Sequence, residues 1–144
     1  MKVSSSGGIL AVVLHLCAGS DIVVTPSAHQ FVALNSTDNV TYTCNVTGSD
    51  QDGSAVWEIQ ELQILNDESN SLRRSFANLG ITVQVVVPGI TELTITPEAR
   101  LSYLNGDPST PNITVQCALF SNDNFPLGEV GEKLNVTTFG MSIP

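Results

Sequence analysis

Apolar residues in this chain recur at every second position. Val40, Tyr42, Cys44 and Val46 alternate with Thr41, Thr43, Asn45 and Thr47, and Ile81, Val83, Val85 and Val87 alternate with Thr82, Gln84 and Val86. Leu93 and Ile95 sit between Thr94 and Thr96; Ile113, Val115, Cys117 and Leu119 alternate with Thr114, Gln116 and Ala118; Leu134 and Val136 flank Asn135. A period of two carried by β-branched residues predicts strands with one face buried. Turn-forming residues separate the runs at Gly48 to Gly53, Asn66 to Asn70, Pro88-Gly89, Asn105 to Pro111 and Asn122 to Gly131. Only Pro97 to Leu104 predicts a helical turn. The pattern predicts an all-β domain.

The first twenty residues follow a different rule. Met1-Lys2 opens the chain with positive charge, Gly7 to Ala18 is almost unbroken in apolar residues, and Ala18 and Ser20 stand at the −3 and −1 positions of a signal-peptidase site. This predicts a signal peptide over 1–20, too short to span a bilayer, and one domain over 21–144. No later run of apolar residues is long enough for a span, so no membrane insertion is expected.

Export changes how the cysteines are read. Cys17 leaves with the leader, and Cys44 and Cys117 remain as a single pair that predicts one disulfide. Closing a loop of about 74 residues contributes roughly 4 kcal/mol in the chain-entropy model. The charge is acidic, −9 over the whole chain, and without Lys2 only Arg73, Arg74, Arg100 and Lys133 face fourteen acidic residues. Such a surface repels phosphate backbones, so no nucleic-acid partner is expected.

Five sequons, at Asn35, Asn39, Asn45, Asn112 and Asn135, fit Asn-x-Ser/Thr without proline. Both cysteines fall on the apolar parity of their strands, as a bridge through a core requires. Asn39, Asn45, Asn112 and Asn135 fall on the opposite parity, where a glycan has room. Two unrelated chemistries thus choose consistent faces.

Trp57, the only tryptophan, lies between the cysteines on a strand-like stretch with Val56 and Ile59. The Cys44–Trp57–Cys117 spacing resembles strands B, C and F of the immunoglobulin superfamily, nearer the variable and intermediate types than the constant type. NVTYTCNV (39–46) resembles a B strand, LTITPEARLSYLN (93–105) an E strand and E–F turn of animal receptor and adhesion domains, and NITVQC (112–117) an F strand. LGEVGEKLNV (127–136) resembles a glycine-bulged G strand with one extra residue. The resemblance implies a two-sheet antiparallel Greek-key immunoglobulin-like sandwich with Trp57 packed on the bridge. Two features depart from it. Val115 stands where a corner tyrosine is usual, and Gly106 to Pro111 is an insertion in the E–F connection.

Catalysis has few residues to work with. His29 is the only histidine of the expected mature chain, and a hydrolase would need a polar pocket converging on it. Asp50 and Asp52 before Gly53 lack the rest of a calcium-loop pattern, and Asp67-Glu68 and the pair Glu129 and Glu132 are turn carboxylates. No metal-ligand spacing and no phosphate-binding loop is present, so neither metal, cofactor nor enzymatic activity is expected. Binding has more. Phe120, Phe125 and Leu127 place apolar groups in the turn-rich F–G region, and Phe120 falls on the outward parity. Glycans on Asn39 and Asn45 would shield the other sheet. The expected function is non-catalytic recognition of an extracellular or cell-surface protein or glycan. A spacer domain of a longer receptor is the alternative, and the F–G residues could instead cap the core.

Overall fold

The computed structural model describes residues 21–47, 53–66, 70–106, 112–121, 123 and 125–140. The predicted signal peptide, the carboxylates at 50, 52, 67 and 68, and most of the predicted insertion at 106–111 lie outside them.

Among the described residues, ten strands and two helices follow in the order β1 (Asp21–Thr25), β2 (Gln30–Ala33), β3 (Val40–Thr47), β4 (Gly53–Ile59), β5 (Leu62–Ile64), α1 (Ser71–Leu79), β6 (Ile81–Val87), β7 (Ile90–Ile95), α2 (Pro97–Gly106), β8 (Asn112–Ser121), β9 (Pro126–Val130) and β10 (Leu134–Phe139). They form two sheets, ordered β1-β3-β7-β6 and β2-β10-β8-β4-β5, with β9 also paired to β8. The chain changes sheet between β1 and β2 at the cis Thr25–Pro26 peptide. Every pair is antiparallel except β2 with β10, which run parallel with Phe31 opposite Thr137 and Ala33 opposite Phe139. That one pair departs from the expected all-antiparallel arrangement, because the crossing brings β2 onto the edge of the second sheet in the direction of β10.

The inward residues of both sheets make the core. Val40, Tyr42 and Cys44 from β3, Leu93 and Ile95 from β7, Trp57 and Ile59 from β4, Ile113, Val115 and Cys117 from β8, and Leu134 and Val136 from β10 are all buried in one cluster. Interdigitating rows at about 10 Å spacing are how two pleated faces remove their apolar surface from water. Alternation fails along β6. Ile81 and Val83 are buried, but Val85 and Val87 are about half exposed, and the β6–β7 register shifts between Val85 and Val87. The bulge turns the end of this edge strand away from the core.

Helix α1 is the element that period-two reading passes over. Its apolar content is thin, with Phe76 the one buried side chain. Leu72, Phe76 and Leu79 nevertheless stand at helical spacing, and both ends carry signals as well. The Asn70 side chain accepts the Arg73 N–H at 2.9 Å, and Gly80, at φ 107°, donates its N–H to the carbonyls of Phe76 and Ala77. A Cβ at Gly80 would collide with the Thr96 hydroxyl, so the position excludes other residues twice over. Helix α2 matches the predicted turn and begins on a Thr96 cap, whose Oγ1 accepts the Ala99 N–H at 3.2 Å with Pro97 following.

Candidate functional site

The Cys44–Cys117 bridge joins the two sheets with Cα atoms 6.4 Å apart. Trp57 lies opposite Cys117 in the β4–β8 ladder and is fully buried. Its Nε1 donates to the Thr91 carbonyl at 3.4 Å, and its ring lies 6.2 Å from that of Tyr42 at a 45° tilt. The Tyr42 hydroxyl donates to the Ala28 carbonyl at 2.8 Å, and burial raises its pKa above the ordinary tyrosine value. Val115, which replaces the usual corner tyrosine, is wholly inside the core.

Sequence reading gave Arg100 no role, yet it is 1% exposed. From α2 it donates to the Ala33 carbonyl at 3.3 Å, the Ser36 carbonyl at 3.1 Å and the Thr138 hydroxyl at 3.5 Å. It therefore clamps the β2–β3 connection and β10 beneath the E–F helix. Burial pushes its pKa down, with Asp38 and Glu98 acting in the opposite sense. The only signal in sequence is its place four residues after Thr96, on the inward side of a capped helix.

The outer face of the six-stranded sheet has two unlike ends. At one end Asn112 pairs with Thr137 and Thr114 with Asn135 across β8 and β10. The two sequons are cross-linked: Thr114 Oγ1 donates to Asn135 Oδ1 at 2.8 Å, and Thr137 Oγ1 donates to Asn112 Oδ1 at 2.6 Å. Asn35, Asn39 and Asn112 are exposed, while Asn45 and Asn135 are half-buried.

At the other end the predicted binding residues separate. Phe120 keeps the outward parity opposite Ser54, but it is 4% exposed rather than free. It packs with Val56 and Ala118 in a second small core, under Leu65. Asn66, donating to the Ala55 carbonyl at 2.7 Å, ties down the segment that carries Leu65. Phe120 thus belongs to packing, and its assignment as a contact residue is corrected. Phe125 is 67% exposed and Leu127 42%, and Val130, which sequence reading did not single out, is 58% exposed. Ser121 fixes this hairpin: its N–H donates to the Phe125 carbonyl at 2.7 Å and its Oγ accepts the Phe125 N–H at 3.1 Å. Beyond β9 the Gly131 N–H donates to the Cys117 carbonyl at 2.8 Å, and the Gln116 side chain holds the Gly131 carbonyl at 2.7 Å. A Cβ on Gly131 would meet that Cys117 carbonyl, Ile22 and Val24 at ordinary contact distance, so the strand break there does not depend on glycine for space.

His29 is exposed, and its Nδ1 accepts the Asn135 N–H at 3.0 Å. It ties the approach of β2 to β10. Among the described residues no group of three or more His, Cys, Asp or Glu is placed to hold a metal, and no helix is long and apolar enough to cross a membrane.

No family model and no curated protein matches the sequence. Solved structures do match the fold. The M1 domain from titin is 14% identical over 85% of this chain and 97% of its own, with a TM-score of 0.42. A structure of titin kinase and its flanking domains is 16% identical over 84% of this chain and 16% of its own, at 0.45. The crystal structure of I81 from titin is 4% identical over 85% of this chain and 99% of its own, at 0.50. Two packed sheets, a bridge between them and this likeness make the chain an all-β immunoglobulin-like sandwich.

Proposed function

We propose that this chain is an exported, N-glycosylated, non-catalytic recognition module of the animal receptor or adhesion kind, which binds an extracellular or cell-surface protein or glycan. The observation that carries the reading is the exposure of Phe125, Leu127 and Val130 on a hairpin that Ser121 holds in shape. Large apolar side chains kept in water by a rigid support are what an interface anchor needs, since ordering costs are already met before binding. The leader-like residues 1–20, the disulfide and the five sequons support export. β5 beside β4 supports a variable or intermediate type, because the constant type has three strands in that sheet.

The test is binding of labelled multimers of the secreted chain to intact cells, repeated with Phe125→Ala and Leu127→Ser. Binding lost in the variants at unchanged thermal midpoint supports the reading. Equal binding by wild type and variants removes the hairpin as the site, and a chain retained unglycosylated inside the cell removes the exported module.

A further inference from the structure

The turn between β4 and β5 lies beside the paired sequons and plays no part in the hairpin surface. Gln60 and Glu61, at φ 51° and 68°, both occupy the left-handed region. A two-residue hairpin turn demands this, and it is normally met by Asn or Gly. Here the strain is offset by bonds to the sequon strand. The Gln60 N–H donates to the Thr114 carbonyl at 2.9 Å, its Oε1 accepts the Thr114 N–H at 2.9 Å, and its Nε2 reaches the Asn112 carbonyl at 3.5 Å. Glu61 meets Lys133 at 3.8 Å in an exposed pair that is free to exchange partners.

Gln60, Glu61, Thr114, Lys133 and Asn135 border an open surface depression of about 410 Å³. That lies within the range of ligand pockets, roughly 300–1,000 Å³. Asn135 contributes to its wall with Oδ1 already bonded to Thr114. Its Nδ2, the atom that N-glycosylation substitutes, donates to no protein group among the described residues. Asn35, Asn39 and Asn45 are not part of this wall, and Asn112 turns its Oδ1 to Thr137.

We propose that the glycan on Asn135 is seated: its first N-acetylglucosamine lies in this depression, bonded through hydroxyl and acetamide groups by Gln60, Glu61 and Lys133. The inference rests on the glycoprotein reading above. Attachment forms the Nδ2–C1 bond, breaks the C1–O bond of an activated glycosyl diphosphate donor and releases one Nδ2 proton. The sugar then covers the strained turn and holds it against local opening.

The test uses the full chain secreted from eukaryotic cells, with every glycan trimmed to a single N-acetylglucosamine and occupancy mapped by peptide mass. Amide exchange at Gln60, Glu61 and Leu62 is expected to be roughly five- to tenfold slower than in Asn135→Gln, the effect of one or two hydrogen bonds on a local opening. Thr137→Ala removes the same acceptor without altering the Asn135 side chain and should match Asn135→Gln, which covers a folding failure of either variant. Glu61→Ala combined with Lys133→Ala should erase the difference with Asn135 still occupied, and Asn39→Gln should leave it unchanged. An occupied Asn135 with exchange no slower than in the two acceptor variants overturns the seat and leaves the glycoprotein reading standing. Sugar on other sequons but never on Asn135 also overturns the seat. Sugar on none of the five overturns both.

Discussion

The two ends of β8 share one strand and one outer face, yet they do opposite things. From Asn112 to Gln116 the outward residues are polar, open or half-open, and bonded sideways to β10, to β9's exit and to the Gln60 turn. From Ala118 to Phe120 the outward residues are apolar and buried, because Val56 and Leu65 pack against them. The difference shows that a pleated strand fixes which face a residue takes, whereas segments distant in sequence decide whether that face meets water.

Substitutions along the β4–β8 ladder can break that distinction. Trp57→Ala sets the scale, since it empties the inner core beside the bridge. It should cost about 3–5 kcal/mol in denaturant unfolding. Phe120→Ala should cost about 3 kcal/mol, because its outer-face cluster is smaller but equally dry. Glu58→Ala, on the same outer face opposite Gln116, should stay within about 0.5 kcal/mol. Small effects at both Phe120 and Glu58 would mean that the outer face is uniformly solvated and the second core does not exist.

Arg100→Met asks a similar question away from the ladder. The aliphatic volume is kept, but the Ala33 and Ser36 carbonyls and the Thr138 hydroxyl lose their donor. The loss should be about 1–3 kcal/mol. Calorimetry that finds Arg100→Met as stable as wild type would show that the buried charge is offset by its desolvation cost and clamps nothing.

Much of the inner architecture is legible from alternation. The parity of Tyr42, Cys44, Trp57, Val115 and Cys117 is enough to place them inside, because two rows must meet in a sandwich. Phe120 shows where that reasoning stops: its outward phase is readable, but the cover supplied by Leu65 comes from fifty-five residues away and has no local sign. α1 escapes because a period-two reading passes over Leu72, Phe76 and Leu79, which stand at helical spacing, although Asn70 and Gly80 also frame it. Arg100 escaped because a lone arginine on a short helix reads as solvated. The sequons were visible as motifs, but their cross-bonding needed the β8–β10 register.

The smallest stability effect is predicted for the residue of greatest functional interest. Phe125 lies just beyond the buried end of β8, 67% exposed, with its backbone rather than its ring holding the hairpin through Ser121. Phe125→Ala leaves both of those hydrogen bonds in place, so the thermal midpoint should shift by no more than the surface-substitution range of about 0.5 kcal/mol. If the hairpin is the recognition surface, the same variant should lose about 1–3 kcal/mol of partner affinity, because an exposed aromatic anchor is removed from the interface and not from the core. The alternative, in which Phe125 folds back as Phe120 does, predicts a midpoint lower by several degrees, with binding reduced only in proportion to the unfolded fraction. Measuring midpoint and affinity on one preparation separates the two. A lowered midpoint with full affinity in the folded fraction would extend the second core to the hairpin tip and take the recognition surface away from this end of the sandwich.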